Sequence, residues 1–379
     1  MEKLELEKWY EEWKDVKEIV LFGNGKTTRY HIPEIKKNFE IQAILDNDKQ
    51  RTAGKTKDIP VLWFGDYIEE LHNTKIVVVS AYEEVSEQLL SYGLIENVDF
   101  CDIRLFITGW QWFQNRQLHI SELHIAVTTC CTLNCHNCNM FMPSHRKNKT
   151  FRHIGLERIK HDIDQMFQDI DRVYRIALVG GETMMYPYLG QVLQYLKENY
   201  ADRYGSAEIY TNGMVLPEEE LLEIMKETSA IVTISNYNLT KNHYQEKVRD
   251  FIAALEKKEI MYSEKLGGEW FDFAFPHEPL DLTREEAIEN MYRCNPGFRG
   301  FNDGKFYFCH IVWSAVECGI LPDCQDDYVD LHAAHTKEDI VNHQLGVMGG
   351  KYVSLCKYCI GCSKVYRKMV PGAIQEDEG

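Results

Sequence analysis

Short apolar runs alternate with amphipathic stretches over two separate parts of this chain, and that alternation constrains the fold more than any other feature. Parallel strands cannot be joined by a tight hairpin, so each needs a crossover, usually a helix. Over residues 18–100, "EIVLFGNG" and "IQAILDND" read as buried strands and "TTRYHIPEIKKN" as a helix interrupted near Pro33; "KIVVVSAY" is a further strand and "EEVSEQLLSYG" its helix. The pattern predicts a Rossmann-like parallel sheet over residues 1–108. "GWQWFQNRQ" (109–117), rich in aromatic and amide side chains, breaks the pattern and reads as a connector. The alternation restarts at "LHIAVTT" (123–129) and runs through "YRIALVGG", "AEIYTNG", "AIVTIS" and "IMYSEKL". The expectation is an α/β chain in three parts. The N-terminal Rossmann-like parallel sheet is followed by a partial (β/α)6 barrel over 118–285, with its chemistry at the C-terminal strand ends. A small irregular cysteine-rich domain occupies 286–379, and the tail "QEDEG" reads as solvated.

Charge narrows the partners. Forty-two Lys and Arg against 59 Asp and Glu give a net charge of −17, which opposes binding to a nucleic-acid backbone. No apolar run is long enough to span a bilayer, and the N-terminus lacks the apolar core of a signal peptide. A cytoplasmic protein with no nucleic-acid and no membrane partner is expected. In that compartment 12 cysteines suit metal or cluster ligation better than disulfides. Apart from Cys101 they fall in three groups: Cys130, Cys131, Cys135 and Cys138; Cys294, Cys309, Cys318 and Cys324; and Cys356, Cys359 and Cys362.

"CTLNCHNC" places Cys131, Cys135 and Cys138 directly after a strand. Structural zinc takes four ligands, and a cubane iron–sulfur cluster has four metal corners. Three thiolates leave one iron open, where a substrate or cofactor can coordinate. A zinc site would instead combine Cys135 and Cys138 with a pair such as Cys356 and Cys359. The next strand ends in Gly180-Gly181-Glu182, the third in "IYTNG" and the fourth in "TISNY". Glycines allow close backbone approach, and a carboxylate can accept from an ammonium group.

In this order the motifs resemble the radical S-adenosylmethionine (SAM) enzymes. The resemblance implies that Cys131, Cys135 and Cys138 hold a 4Fe–4S cluster whose open iron chelates SAM, with Gly180, Gly181 and Glu182 near the methionine amine. Thr211, Asn212, Ser235 and Asn236 would lie along the ribose and carboxylate. Asn137 stands where many members carry an aromatic residue near the adenine, so Phe141 is assigned that packing. Cys130 reads as a buried small residue. "CNPGFRGFNDGKFYFC" followed by "CKYCIGC" looks like the auxiliary-cluster extensions called SPASM and twitch. A second 4Fe–4S cluster on Cys294, Cys309, Cys356 and Cys359 is implied, with Cys362 as the alternative thiol of the last run. A zinc knuckle at "CKYCIGC" is the other reading.

The resemblance implies an oxidoreductase that forms a 5′-deoxyadenosyl radical, fed by a flavodoxin- or ferredoxin-type electron donor. It would abstract hydrogen from a carbohydrate-type substrate, a nucleotide-linked sugar or aminocyclitol. Electron transfer to the second cluster gives a ketone; hydrogen return from a thiol such as Cys318 or Cys324 gives an epimer. The alternatives are a maturase of a ribosomal peptide or protein and a zinc-stabilised binding protein. Near the N-terminus, Gly23-Asn24-Gly25 and Asp46 partly match a dinucleotide fingerprint, with Thr28 in place of its third glycine. Nucleotide binding and a structural or docking role both stay open for that part. By fold-level likeness, it is similar to small Rossmann-like domains that accompany enzymes of bacterial sugar biosynthesis.

Overall fold

Residues Ile19, Val20, Leu21 and Phe22 are all buried, as a strand covered on both faces requires. Ile19 and Leu21 join one apolar cluster with Trp9, Trp13, Ile32 and Phe106, whereas Val20 and Phe22 join another with Phe64, Leu71, Val85 and Leu89. The period of two along the strand sends alternate side chains to the two faces. In a computed structural model, which describes residues 3–52, 54–79, 82–239, 243–272, 279–294, 299–359, 361 and 368–375, the chain forms two units. The first comprises Met1–Ser121, Ile170–Tyr174 and Gln344–Gly349. Its six-stranded sheet runs in the order Lys55–Thr56, Ile59–Trp63, Glu40–Asp46, Glu18–Phe22, Ile76–Val78, Phe100–Asp102. All neighbours are parallel except the first pair. The helix Lys26–Ile35 passes through Pro33 and stops two residues beyond it.

The segment read as a connector is the second half of the helix Ile103–Asn115, where Gly109, Trp110 and Gln111 are buried. A Cβ on Gly109 would lie 2.7 Å from the Trp9 ring, so glycine there admits the N-terminal helix Lys3–Trp13. Tertiary packing overrides a locally polar-looking sequence.

The second unit comprises Glu122–Asp169, Arg175–His343 and Gly350–Gly379. Its sheet runs Tyr262–Leu266, Ile231–Asn236, Tyr204–Thr211, Arg172–Gly180, Leu123–Thr128, then Gly300–Asn302, Lys305–Tyr307 and Tyr328–Asp330. Pairing is parallel between Tyr204–Thr211 and Ile231–Asn236, between Ile231–Asn236 and Tyr262–Leu266, and between Leu123–Thr128 and Arg172–Gly180. Helices Leu156–Asp169, Leu189–Tyr200, Glu219–Glu227 and Tyr244–Lys257 fall between these strands. Gly300–Asn302 continues the sheet by pairing in parallel with the Leu123–Thr128 strand and in antiparallel with Lys305–Tyr307. Asn302 ties that edge down: its amide accepts from Ala126 N at 2.9 Å and donates to Ala126 O at 2.9 Å. Among the described residues, no helix is long and apolar enough to cross a membrane.

Candidate functional site

The strand Leu123–Thr128 ends against the next strand through glycines. A Cβ on Gly180, whose φ is +151°, would lie 2.2 Å from Thr128 O, and one on Gly181 would lie 2.2 Å from Cys130 O. Only glycine lets the two chains meet this closely, so this pair serves the approach of strand end to cysteine loop. Gly181 N and Glu182 N donate to Thr128 O (2.9 Å) and Cys130 O (2.7 Å). The first of the four cysteines thus contributes its backbone.

Glu182 is fully buried. Its carboxylate accepts from Met184 N (2.9 Å), Thr211 Oγ1 (2.6 Å) and Asn212 N (2.7 Å). Burial raises its pKa against these three donors. The expected contact of Glu182 with a ligand is therefore replaced by an internal one: Glu182 locks the third strand end to the second and does not line the cavity.

A cavity of about 540 Å³ opens at these strand ends, and Cys131, Cys135, Cys138, Gly180, Gly181, Thr211, Asn212 and Ser235 line it. Each thiol has a donor aimed at sulfur. Leu133 N donates to Cys131 Sγ (3.4 Å) and Gln375 Nε2 to Cys135 Sγ (3.2 Å); Cys138 receives the backbone N–H groups of Met142, Met140 and Phe141. Burial pushes all three thiols up, with Glu182 adding to it at Cys131 and Cys138 at Cys135, the latter to about 12. Three sulfurs lining one cavity with donors directed at them, yet no positive charge among these partners, form a donor set that fits a cationic iron–sulfur core.

Two assigned residues fall elsewhere. Phe141 is buried, holds a left-handed φ of +54° and donates its N–H to Cys138 O at 2.9 Å; it caps the loop, while Asn137, Asn139 and Met140 line the cavity. Asn236 turns its amide to Glu264 Oε1 (2.6 Å) and accepts from Asn238 N (2.9 Å), so it shapes the turn behind Ser235.

The rest of the wall was not singled out from sequence. His124, Tyr210, Lys265, Glu269, Trp270, His310, Ile311 and Met369 also line the cavity. Beneath it, Arg175 Nη1 pairs with Glu208 at 2.9 Å, its Nη2 pairs with Glu122, and Glu122 Oε1 holds His124 Nε2 at 2.7 Å. Burial would raise the Glu122 carboxyl, but Arg175 and His124 hold it down at about 2. Burial and Arg175 lower the Lys265 pKa against the pull of Glu208 and Glu122; its Nζ sits 5.2 Å from the Tyr210 ring centroid. The signal for this network lay in "YRIALVGG" and "AEIYTNG", where Arg175 and Glu208 interrupt otherwise apolar strands.

A second, mostly apolar cavity gathers Cys294, Cys309, Cys356 and Cys359 with Asn290, Met291, Phe308, Ile311, Val353 and Leu355. Burial, Cys309 and Cys359 push the Cys356 thiol well up, and Gly361 N donates to Cys359 Sγ at 3.1 Å. Cys362 lies outside the described residues. Neither Cys318 nor Cys324 lines either cavity. The Cys318 thiol is buried and donates to Ala315 O at 3.5 Å, a structural place for a residue expected to be a hydrogen donor. Among the described residues no three His, Cys, Asp or Glu side chains converge as a single metal ion requires.

In the first unit, Asp46 accepts from Asn24 N and Asp48 N, each at 2.8 Å, and Thr56 Oγ1 donates to Asn24 Oδ1 at 2.9 Å. Thr28, fully buried, donates its hydroxyl to Gly23 O. The glycine loop is closed by its own side chains.

Residues 125–261 match the family described as Radical SAM superfamily. Over that span, which is less than half of the chain, the sequence is similar to a radical SAM domain. No curated protein matches it. Among solved structures it is similar to native anSMEcpe with bound AdoMet and Cp18Cys peptide, at 14% identity and a TM-score of 0.32, over 39% of this chain and 44% of that one. It is also similar to BtrN in complex with AdoMet and 2-DOIA, at 19% identity and a TM-score of 0.38, over 63% of this chain and 92% of that one. A third is Streptococcus suis SuiB bound to S-adenosylmethionine, at 14% and 0.31, over 52% of this chain and 42% of that one. The chain thus spans less than half the length of the first and third. None of these likenesses assigns a substrate to this chain.

Proposed function

We propose that this enzyme oxidises a carbinol carbon of a small carbohydrate-type substrate to a ketone, with the second four-cysteine cavity holding an auxiliary 4Fe–4S cluster that takes up the electron. The observation that carries the reading is the run Cys309-His310-Ile311. Cys309 faces the apolar cavity, His310 lines the main cavity and Ile311 lines both. A substrate radical in the main cavity is then separated from the auxiliary thiolates by one shared wall.

Cys131, Cys135 and Cys138 would hold the first cluster. Bound there, the cluster and SAM supply the 5′-deoxyadenosyl radical that breaks a substrate C–H bond and carries the hydrogen away on its 5′ carbon. Gly180, Gly181, Thr211, Asn212 and Ser235 flank the ligand from the strand ends. Glu182 keeps Thr211 and Asn212 in place, and Asn212 Nδ2 reaches Thr132 Oγ1 at 3.0 Å. Loss of a substrate radical's hydroxyl proton to the polar wall and of one electron towards the auxiliary site would leave a C=O bond. His124, oriented by Glu122, is the proton acceptor of that wall. The wall's amine, imidazole and phenol groups suit a hydroxyl-rich ligand.

The absence of Cys318 and Cys324 from the lining favours dehydrogenation over epimerisation. The Asp46 carboxylate, already bonded to Asn24 and Asp48, favours a structural or docking role for the first unit. An electron donor of flavodoxin or ferredoxin type belongs to the same proposal. The test is anaerobic incubation of reduced enzyme and SAM with deuterated polyols, aminocyclitols and peptides. Deuterium in 5′-deoxyadenosine together with a hydrazine-trappable ketone from the polyol class is expected. Label from peptide alone would establish the maturase reading instead; iron and sulfide near zero with about one or two zinc per chain would leave a zinc-stabilised binding protein.

A further inference from the structure

The tail of the chain, which the sequence leaves as solvated polar residues, is bonded to the three-cysteine loop. The path can be followed residue by residue. Met369–Pro371 pairs antiparallel with Glu269–Phe271, and Gly372 N donates to Gly268 O at 3.0 Å. Ala373 is fully buried. His136 N donates to Ile374 O at 2.7 Å, and Cys135 and Gln375 form a β-bridge. The Gln375 side chain then divides its two ends. Its Oε1 accepts from Asn134 N at 2.8 Å. Because Oε1 faces a donor, Nε2 must be the amide nitrogen that points at Cys135 Sγ, 3.2 Å away, and at Ala373 O, 2.8 Å away.

A hydrogen bond to a ligating sulfur draws electron density from it and stabilises the more negative, reduced cluster, so it raises the reduction potential. Solvent exposure and net charge act on the same quantity. Cys135 is 5% exposed, so its sulfur takes this donor inside the fold and not from bulk water.

Resting on the reading that Cys135 ligates the SAM-binding cluster, we propose that Gln375 is a positioning residue that sets the reduction potential of that cluster. The strap Met369–Gln375 carries the amide from the cavity wall, where Met369 lies, to Cys135, whose sulfur has the closer side-chain amide donor at 3.2 Å; Asn212 Nδ2 lies 3.9 Å from Cys131 Sγ.

The experiment is an anaerobic potentiometric titration of the reconstituted full chain, followed by electron paramagnetic resonance. It uses the signal that changes on adding SAM, which separates the open-cornered cluster from the auxiliary one. Gln375→Leu removes the donor, and Gln375→Glu keeps the acceptor towards Asn134 N while placing an oxygen against the sulfur. Both variants are expected to keep the iron and sulfide content of the unsubstituted chain and to shift the midpoint to more negative potential, the Glu variant further. The expected size is up to a tenfold fall in the ratio of reduced to oxidised cluster at fixed poise, about 59 mV for one electron. If Gln375→Leu retains less iron, the isosteric Gln375→Glu decides. A midpoint equal to that of the unsubstituted chain in a fully loaded Glu variant overturns the inference. Absence of a SAM-sensitive signal from the unsubstituted chain would overturn the cluster reading instead.

Discussion

The two cysteine-lined cavities of the second unit differ in everything except their sulfur. The first is lined by three thiols together with amine, imidazole and phenol groups, backed by the Glu122–Arg175–Glu208 chain. The second presents four thiols to a lining that is apolar but for Asn290. A site that leaves a metal corner open needs room and polar partners for what binds there, whereas a site that only stores an electron is better sealed from water. In the proposed function, the first cavity holds the reacting ligand and the second takes up the electron.

The largest effect that tests the contrast is chemical. Cys135→Ala is expected to lower iron by about four per chain and reduce 5′-deoxyadenosine formation to background, read by chromatography after anaerobic reduction. Cys356→Ala is expected to lose the same iron yet still cleave SAM, with ketone formation abolished. If both variants behaved alike, the two cavities would not have separate roles. Next comes the support beneath the polar wall. Arg175→Leu leaves Glu122 and Glu208 buried without their guanidinium, and a loss of about 3–5 kcal/mol is expected in denaturant unfolding. A loss under about 1 kcal/mol would show that water reaches these carboxylates.

The smallest effect concerns the brace between the cavities. His145, fully buried, bonds Thr150 Oγ1 at 2.7 Å and Ser314 Oγ at 3.2 Å, and Ser314 donates to Met140 O at 2.8 Å. Met140 lines the first cavity, and Ser314 sits in the helix Ile311–Glu317 that follows Cys309. Burial holds the His145 imidazole down to about 4. An unfolded chain therefore takes up a proton that the folded one refuses. This stability is fully present above about pH 6.5 and is lost as pH falls towards 4, by up to about 3 kcal/mol. His145→Asn is expected to flatten that part of the pH–stability curve; an unchanged slope would place its origin elsewhere.

Much of the arrangement was legible along the chain. The strand–helix alternation located both parallel sheets, because a strand buried on two faces must be apolar throughout and its crossover must be amphipathic. The spacing of Cys131, Cys135 and Cys138 after a strand marked a loop that can turn three sulfurs to one side. "GWQWFQNRQ" misled because its aromatic residues find ring partners from far earlier in the chain: Phe113 stacks on Tyr10 and Trp110 meets Phe39 edge-on. Glu182 misled for a related reason. A carboxylate after two glycines reads as a ligand group until the Thr211 and Asn212 donors, about thirty residues on, are seen to occupy it.

The sequence by itself determined where the cysteine and glycine motifs fall relative to the strands, since their local spacing is set within single loops. Only the tertiary structure decided which groups face the cavity: that Phe141 and Glu182 turn inward, that Cys318 stays in the core, and that Gln375 crosses about 240 residues to reach Cys135. The physical reason is that buried polar groups must find partners, and those partners come from whichever strand end or chain terminus the fold brings alongside, at separations that no local pattern records.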